Sequence, residues 1–273
     1  MRITWDARQG LSRPNHPMTD PKAQIAAQER LEVERSAEEA RKTVVKPILD
    51  IDRYLNPPAN TIYPLEYAFY LLGDVTGKTV LDFGCGSGEN LVPLARRGAR
   101  TLGMDISPDL VALARKRLAD AGLAASVDVR SAYESRLPDK SLDVIFCISL
   151  VHHLQIPLVR EEMRRILVPN GSIILSEPIR FSNGYARLRS LLPAHEDVSD
   201  FEHPLTRAEL EDLLEGFEAH GVRYFRLPMV PLVLRTMRSR NRAAWRLSNW
   251  TLQKWPFMER YATCVVMKLT NRR

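Results

Sequence analysis

A glycine-rich turn after a short apolar run constrains this chain more than any other feature of its sequence. Residues 80–88 read Val-Leu-Asp-Phe-Gly-Cys-Gly-Ser-Gly, a strand-like run followed by glycines at alternate positions. Glycine lets the backbone turn sharply and approach a ligand closely, so the segment is typical of a strand-to-helix turn in an open α/β sheet. We therefore expect a nucleotide-like ligand at the carboxyl edge of a parallel sheet.

The spacing of the glycines, and the acid before them, select among nucleotide-like ligands. The dinucleotide fingerprint is GxGxxG, whereas Gly84, Gly86 and Gly88 form GxGxG and Asp82 precedes them. A carboxylate at the mouth of the turn repels a pyrophosphate but attracts a ligand that carries an ammonium and a sulfonium. The next apolar run ends in Asp105, where a carboxylate can accept hydrogen bonds from ribose hydroxyls.

Strands and helices are predicted to alternate around this turn. From Lys78 onward, apolar runs of strand length are separated by helical segments, which is the pattern of βαβ units on a parallel sheet. Two later runs, 222–227 and 262–269, are predicted to complete the sheet as an antiparallel edge hairpin. The predicted parallel strands are 79–82, 100–105, 126–130, 142–148 and 171–176, and the predicted helices are 22–45, 64–72, 108–121, 157–167 and one that begins at the capping box 206–209.

Positive charge is concentrated near the end of the chain. Residues 222–273 hold twelve Lys or Arg and a single acid, Glu259, although the whole chain has a net charge of only +6. A basic face of this kind indicates an anionic partner, namely a phosphate-bearing substrate, a membrane surface or nucleic acid, or else it is simply solvated. Trp245, Trp250 and Trp255 lie in one stretch with several arginines, which fits either a helix on an anionic membrane or core packing beneath the edge hairpin.

Cysteine usage and the first residues bear on the compartment. Cys85, Cys147 and Cys264 are odd in number and far apart, so they predict neither a disulfide framework nor a metal site. Residues 1–10 lack the apolar region of a signal peptide, and no apolar run is long enough to span a bilayer. We therefore expect a cytoplasmic protein without a metal.

Taken together, the motifs resemble those of class I S-adenosylmethionine-dependent methyltransferases, in particular the branch that includes the ubiquinone and menaquinone C-methyltransferases. Besides the glycine turn and Asp105, Val-His-His-Leu at 151–154 follows the fourth strand, and Leu-Val-Pro-Asn-Gly-Ser at 167–172 resembles the family's LxPGG-like turn before the fifth. The resemblance covers roughly residues 78–227. It implies a doubly wound, mostly parallel, seven-stranded α/β sheet in a Rossmann-like fold, with S-adenosyl-L-methionine as cofactor.

The same resemblance implies which residues bind the cofactor. The glycines would lie under its methionine part, and Asp105 would hold its ribose. Where the family often has an Asp-Ala pair for the adenine amine, this chain has Ser131-Ala132, with Tyr133 and Glu134 as alternatives. The residues that we expect to bind the cofactor are Tyr63, Asp82, Phe83, Gly84, Cys85, Gly86, Gly88, Asp105, Ile106, Ser131, Ala132, Tyr133 and Cys147.

We divide the chain into three parts of one domain. Residues 1–76 form an N-terminal extension and helical lid, and residues 77–180 form the S-adenosylmethionine-binding core. Residues 181–273 supply an acceptor-binding insertion, the last helices and the edge strands. The N-terminal helix packs either on its own chain or on a neighbour's, and exchange between chains would give a homo-oligomer.

Three residues are candidates for catalysis. Transfer of a methyl group from a sulfonium needs mainly alignment and exclusion of water, and a general base helps when the acceptor is a phenol, an enol or an acidic carbon. His152 and His153 after the fourth strand and Glu177 after the fifth meet that need, but each also fits a purely structural role. Tyr63 stands where family members fold a lid, and its ring could contact the sulfonium.

The acceptor remains open to several interpretations. The long segment 181–204, with His195 and several leucines, is where the family builds its acceptor pocket, which favours a small, largely apolar metabolite of secondary metabolism, methylated on O or C. An RNA methyltransferase that uses the basic end, and a cyclase that binds the cofactor without methylating, are the alternatives. Asn-Pro-Pro-Ala at 56–59 lacks the aromatic residue of the amino-methylating motif and does not lie where that motif belongs, so N-methylation of adenine or glutamine is disfavoured.

Overall fold

One sheet of seven strands organises the computed structural model, which describes residues 21–182, 203–228 and 241–272. The chain forms each strand from a short apolar or alternating run, as expected for a sheet covered on both faces. The strands are β1 (Thr79–Phe83), β2 (Arg100–Asp105), β3 (Ser126–Val129), β4 (Leu142–Ile148), β5 (Leu167–Pro178), β6 (Phe217–Phe225) and β7 (Cys264–Asn271).

The strand order confirms the predicted fold class. Across the sheet the order is β3-β2-β1-β4-β5-β7-β6. Strands β1 to β5 pair in parallel, and β7 runs antiparallel between β5 and β6, as the predicted edge hairpin requires. The carboxyl ends of β1, β2 and β4 therefore lie side by side, and the loops that leave them share one edge of the sheet.

Two strands begin earlier than the sequence predicted. β5 starts at Leu167, where it already pairs with Leu142, so the expected turn lies inside the strand as a bulge with Asn170 at a φ of 61°. β6 starts at Phe217 rather than at residue 222, because an edge strand can keep exposed polar residues that lack a strand-like apolar pattern. The other strand boundaries agree with the prediction to within two residues.

Helices flank the sheet, and local signals define several of their ends. Ser107 caps the helix after β2 by accepting the N–H of Leu110, and Thr206 with Glu209 forms the predicted capping box. The first helix ends at Lys42 rather than at residue 45. The helices are α1 (Pro21–Lys42), α2 (Asp52–Leu55), α3 (Pro64–Leu72), α4 (Leu91–Arg96), α5 (Pro108–Asp120), α6 (Ile156–Ile166), α7 (Arg207–Leu214) and α8 (Asn241–Lys254), and 3-10 turns occupy Val151–His153 and Pro256–Tyr261.

Alternate residues of the strands face two separate helical layers. Val80 and Val144 belong to a buried cluster with α3 and α4, whereas Leu81 and Ile145 belong to a cluster with α6 and α7. Burial on both faces fixes the central strands in place. The edge formed by their carboxyl ends is therefore a rigid base for a site.

Part of the predicted acceptor segment, including His195, lies outside the described residues, as do the first 20 residues of the chain. Arg235, Arg238 and Arg240, which contribute to the basic end, are also outside them. Among the described helices, none is long and apolar enough to cross a membrane.

Candidate functional site

The glycine-rich turn leaves β1 at the carboxyl edge of the sheet and is tied to β2. The backbone N–H groups of Gly84 and Cys85 both donate to the carbonyl oxygen of Met104, each at 2.9 Å. Gly84, Gly86 and Gly88 have φ values of 76°, 50° and 81°, in the left-handed region that favours glycine. The path of the turn thus requires glycine at these positions.

The three glycines differ in what a side chain would meet. A Cβ on Gly84 would lie 2.7 Å from the Leu150 side chain, and a Cβ on Gly88 would lie 2.8 Å from the Cβ of Ala114. A Cβ on Gly86 would meet nothing within 4 Å. Gly84 and Gly88 therefore allow the protein to pack closely on itself, while Gly86 leaves open space in which a ligand can approach the backbone.

Asp105 ends β2 beside this turn. Its Oδ2 accepts the N–H of Gly86 at 2.9 Å, and its Oδ1 accepts the N–H of Ser107 at 3.0 Å. Burial raises the pKa of the Asp105 carboxyl, while these N–H donors act in the opposite direction. Each oxygen keeps a further lone pair, so the oriented carboxylate can accept two more hydrogen bonds from a diol.

Asp82 lies beneath the turn without a complete set of partners. It is 1% exposed, and its Oδ2 has no hydrogen-bond partner within the described part of the chain. Burial and the nearby Asp105 raise the pKa of Asp82 to about 8, and the Asn90 side chain opposes that shift. A nearby cation would stabilise the ionised form of such a carboxyl. Asp82 therefore fits a ligand that brings an ammonium group to the turn.

A cavity of about 240 Å³ joins these elements along the carboxyl edge. The turn, the end of β2, the segment after β3, the residues after β4 and one face of α1 bound it. The residues expected to bind the cofactor that line this cavity are Gly84, Gly86, Asp105, Ile106, Ala132 and Tyr133.

The α1 side of the cavity was missed by the sequence analysis. Polar residues at helical spacing form it, and that spacing was the one available signal, although such a stripe is usually just solvated. The Ser131 hydroxyl donates to Oε1 of Glu29 at 2.5 Å, and the Gln28 amide donates to the backbone carbonyl of His153. The lining residues of α1 are Gln28, Glu29, Glu32, Ser36 and Glu39.

The segment after β3 stands where the adenine contact was predicted. Ser131 does not line the cavity, because its oxygen accepts the N–H of Tyr133 at 3.1 Å and its hydroxyl hydrogen goes to Glu29. The Tyr133 hydroxyl accepts the N–H of Gln155 at 2.9 Å, and burial raises the pKa of Tyr133. Arg130, Ala132 and Tyr133 are the residues of this segment that line the cavity, and the adenine contact stays a prediction.

The two histidines after β4 occupy different environments. His152 is buried, and its Nδ1 lies 2.8 Å from Oε2 of the fully buried Glu177. The other Glu177 oxygen accepts the N–H groups of Leu150 and Val151, each at 2.9 Å. His153 lines the cavity, and its ring centroid is 4.1 Å from that of His152. Glu177 therefore fixes the 3-10 turn and the His152 ring, and His153 is the candidate base at the cavity.

Ser149 is another lining residue that the sequence did not indicate. It joins β4 to the 3-10 turn with a φ of 54°, a conformation that non-glycine residues seldom adopt, and its N–H donates to the Ser176 carbonyl at 2.7 Å. The strained backbone directs the following residues along the carboxyl edge.

Several residues expected to bind the cofactor lie away from the cavity lining. Phe83 and Cys147 are fully buried in the core, and Cys85 is buried beneath the turn, where burial raises the pKa of its thiol. The Tyr63 ring lies 5.5 Å from the Trp245 ring, centroid to centroid. A contact between these residues and the cofactor stays a prediction.

Comparison with known families agrees with this geometry. A family described as a methyltransferase domain matches residues 80–171, from β1 into β5. The match includes the glycine turn, Asp105 and both histidines of the 3-10 turn. The chain therefore carries a methyltransferase domain. None of the curated proteins compared with the chain matches it significantly in sequence.

Solved structures share the fold at low sequence identity. A geranyl diphosphate C-methyltransferase from Streptomyces coelicolor A3(2) is 15% identical, with a TM-score of 0.58 over 90% of this chain and 98% of that chain. An S-adenosylmethionine-dependent methyltransferase from Mesorhizobium loti is 19% identical, with a TM-score of 0.55 over 80% and 100%. The [4+2]-cyclase SpnF is 18% identical, with a TM-score of 0.53 over 75% and 80%. At these identities the likeness establishes the fold.

The domain and the cavity together define the cofactor as S-adenosyl-L-methionine. The residues present fit it, because Asp105 offers two oriented acceptors for a ribose diol, and the buried Asp82 just before the turn has one oxygen without a hydrogen-bond partner within the described part of the chain, which suits a nearby ammonium. Open space at Gly86 allows the cofactor to approach the backbone of the turn. The protein is thus an S-adenosylmethionine-dependent enzyme of the methyltransferase class.

Proposed function

We propose that this protein methylates a small, largely apolar acceptor on an oxygen or a carbon atom. One observation carries the proposal: Gly86 and Asp105 share a single cavity with His153. When bound, S-adenosylmethionine supplies an electrophilic methyl group on its sulfonium. The protein's part is then to align the acceptor, exclude water and hold the proton that the acceptor loses.

His153 is the residue that we assign to the proton. Neutral imidazole accepts protons near neutral pH, and the His153 side chain lies on the cavity wall. Its Nδ1 is 4.0 Å from Oε2 of Glu32 on α1. That carboxylate would stabilise the imidazolium formed when His153 takes the proton of an acceptor hydroxyl or acidic carbon.

We assign His152 and Glu177 a positioning role. One carboxylate oxygen of Glu177 hydrogen-bonds His152, and the other accepts two backbone N–H groups at the start of the 3-10 turn. Glu177 therefore fixes the turn that carries His153. The His152 ring packs on the His153 ring and limits its orientation. Neither residue lines the cavity, so both would act through His153.

The acceptor class is inferred from the lining beside His153. Leu150 and Leu154 line the cavity there, and they favour an apolar acceptor over a polar one. The resemblance to ubiquinone and menaquinone C-methyltransferases points the same way, as does a shared fold with geranyl diphosphate methyltransferases. We propose further that residues 77–180 bind the cofactor and that residues 181–273 contribute to acceptor binding.

The test is transfer of a labelled methyl group. Purified protein would be incubated with methyl-labelled S-adenosylmethionine and panels of quinones, polyketides and terpenoids, and the label would be followed into the apolar products. We expect a labelled product, and a rate lower by about 100-fold or more in His153→Gln, since a general base typically contributes that much. His220→Gln, an exposed histidine on β6, is the matched control and should keep the wild-type rate.

Other outcomes would replace parts of the proposal. Transfer to RNA, with no transfer to any apolar compound, would change the acceptor class. Cofactor binding without transfer to any acceptor would instead favour a non-methylating protein such as a cyclase. An unchanged rate in His153→Gln would remove the base assignment while leaving the methyltransferase intact.

A further inference from the structure

The outer side of α8 carries large apolar side chains that the core does not use. Leu247 and Trp250 on α8, Trp255 after it and Phe257 in the next turn are 46%, 53%, 41% and 60% exposed. The rings of Trp250 and Trp255 meet edge to face, with centroids 5.1 Å apart. We call these four residues the aromatic patch. Exposed apolar residues gathered in this way mark an interaction site more often than scattered ones do.

The opposite side of α8 already holds the helix in the fold. Ala244, Trp245 and Leu252 are buried there. The Ser248 hydroxyl accepts the N–H of Leu227 at 2.9 Å, and Trp245 packs on Tyr63. The sequence left open whether the tryptophans pack in the core or contact a membrane. Trp245 packs in the core, whereas Trp250 and Trp255 do not. The aromatic patch is therefore a second apolar face of α8, separate from the face that packs on the core.

The charge around the aromatic patch is positive. Arg242, Arg246 and Lys254 are exposed on α8, and the helix sequence contains no acid. Among the described residues, no salt bridge neutralises these three side chains. Arg260 adds a further exposed cation in the turn that holds Phe257. Aromatic side chains surrounded by arginine and lysine complement a surface that has an anionic outer layer and an apolar layer below it.

The segment that carries the aromatic patch joins the sheet at its carboxyl edge, which is also the edge that holds the cavity. α8 and the turn after it precede β7, and β7 is antiparallel, so its first residue, Cys264, lies beside Pro178 at the carboxyl end of β5. The carboxyl end of β6 reaches the same edge, since Phe225 also pairs with Cys264. The chain that carries the aromatic patch therefore leaves β6 and enters β7 at the edge of the sheet that holds the site.

We propose that the aromatic patch docks the protein on an anionic phospholipid membrane. The indole and phenyl rings enter the interface between headgroups and acyl chains, and Arg242, Arg246 and Lys254 bind lipid phosphates. An acceptor dissolved in the bilayer would then reach the site without crossing water. This last step rests on the proposed function, whereas docking itself does not.

The experiment is flotation of the full chain with lipid vesicles. Vesicles of phosphatidylcholine alone would be compared with vesicles that contain about 30% phosphatidylglycerol, at low and at high salt. We expect at least about tenfold stronger partitioning to the anionic vesicles, with a loss at high salt. The double variant Trp250→Ser, Trp255→Ser should lose about tenfold or more, and Arg242→Gln, Arg246→Gln should lose the preference for anionic lipid.

The control variants remove an apolar side chain or two arginines at exposed positions elsewhere. Leu158→Ser removes a side chain that is 44% exposed on α6, and Arg96→Gln with Arg100→Gln removes two exposed arginines near β2. Both should partition like the wild type. Calorimetric binding of S-adenosylmethionine, unchanged in every variant, would show that each is folded, and it also separates a failure of docking from a failure of the proposed function.

Three results would overturn the proposal. The first is equal partitioning of the wild type to neutral and anionic vesicles, or none to either. The second is a tryptophan variant that floats as well as the wild type. The third is evidence that the patch binds something other than a membrane. If the protein does not bind vesicles, and the tryptophan variants no longer bind single-stranded RNA, the patch would be assigned to nucleic acid. If they instead no longer self-associate in sedimentation, it would be assigned to a second copy of the chain.

Discussion

The cavity has two walls that the chain builds in different ways. The sheet wall consists of Gly84, Gly86 and Asp105, and backbone N–H groups and buried strands hold it in place. The helix wall is the polar stripe of α1, and side chains tie it to the rest, through the Gln28 amide and the Glu29 carboxylate. One wall is part of the fold, and the other is attached to it.

This difference indicates where substitutions should most strongly affect cofactor binding. A backbone-built wall cannot adjust without moving β1 or β2, so a substitution there removes an interaction outright or destabilises the fold. A side-chain wall depends on single hydrogen bonds, each of which contributes about 0.5–1.5 kcal/mol. Substitutions on α1 should therefore weaken binding by small steps.

Removing the Asp105 carboxylate is the strongest way to break the sheet wall. Asp105→Ala should weaken S-adenosylmethionine binding by about 100-fold or more, because each hydrogen bond to a charged group contributes about 1.5–3 kcal/mol and two are lost. Isothermal titration calorimetry measures the affinity. Asp109→Ala, an exposed acid in the first turn of α5, is the control and should bind normally. Equal affinities for Asp105→Ala and the wild type would remove the ribose assignment.

The glycines of the turn behind the sheet wall separate effects on folding from effects on binding. Gly88→Ala should lower the free energy of unfolding by about 2–4 kcal/mol, because its Cβ would lie 2.8 Å from Ala114 at a positive φ. Gly86→Ala, whose Cβ meets nothing within 4 Å, should lose less stability but about tenfold in cofactor affinity. Denaturant unfolding and calorimetry on both variants measure the two effects. The reverse pattern would contradict the division that we draw between packing and ligand approach.

Asp82, on β1 just before the sheet wall, makes the stability of the fold sensitive to pH. Its folded pKa of about 8 lies above the ordinary value of 3.8, so the folded protein binds the proton more tightly than the unfolded chain does. The resulting stability is complete below pH 3.8 and is lost as pH rises toward 8, with a slope of at most about 1.4 kcal/mol per pH unit. Asp82→Asn should flatten this slope in urea unfolding at pH 5 and pH 8 without cofactor. Parallel slopes for variant and wild type would show that another group is responsible.

The helix wall should respond least. Glu29→Ala removes the carboxylate that accepts the Ser131 hydroxyl, so cofactor affinity should fall only about three- to tenfold. Glu34→Ala, an exposed acid on the same helix, should leave the affinity unchanged. Calorimetry under the conditions used for Asp105→Ala allows a direct comparison. A loss as large as that of Asp105→Ala would mean that α1 belongs to the fixed part of the site.

The sequence predicted the sheet wall because its chemistry is local. Three glycines at alternate positions, an acid before them and Asp105 at the next strand end all follow from what one short segment can do. The fold class followed from the same alternation, since parallel strands place their carboxyl ends at one edge. β6 shows the limit, because an exposed edge strand has no apolar pattern to recognise.

The helix wall could not be predicted because it depends on distant pairing. Glu29 meets Ser131 and Gln28 meets His153 across more than 100 residues of sequence, and a polar stripe does not say what it faces. The difference between the histidines was hidden for the same reason. The two histidines differ because β5 brings Glu177 beside His152. The His152 ring is therefore buried against Glu177, whereas His153 lines the cavity.

The buried cysteines can report the local opening of three different parts of the sheet. Cys85 lies under the glycine turn, Cys147 in the central strand β4 and Cys264 in the edge hairpin, and burial raises the pKa of each thiol. A thiol reagent can therefore reach each one only when its own part of the sheet opens. Labelling rates would rank the opening of the turn, the centre and the edge, and a bound cofactor would slow the first of them.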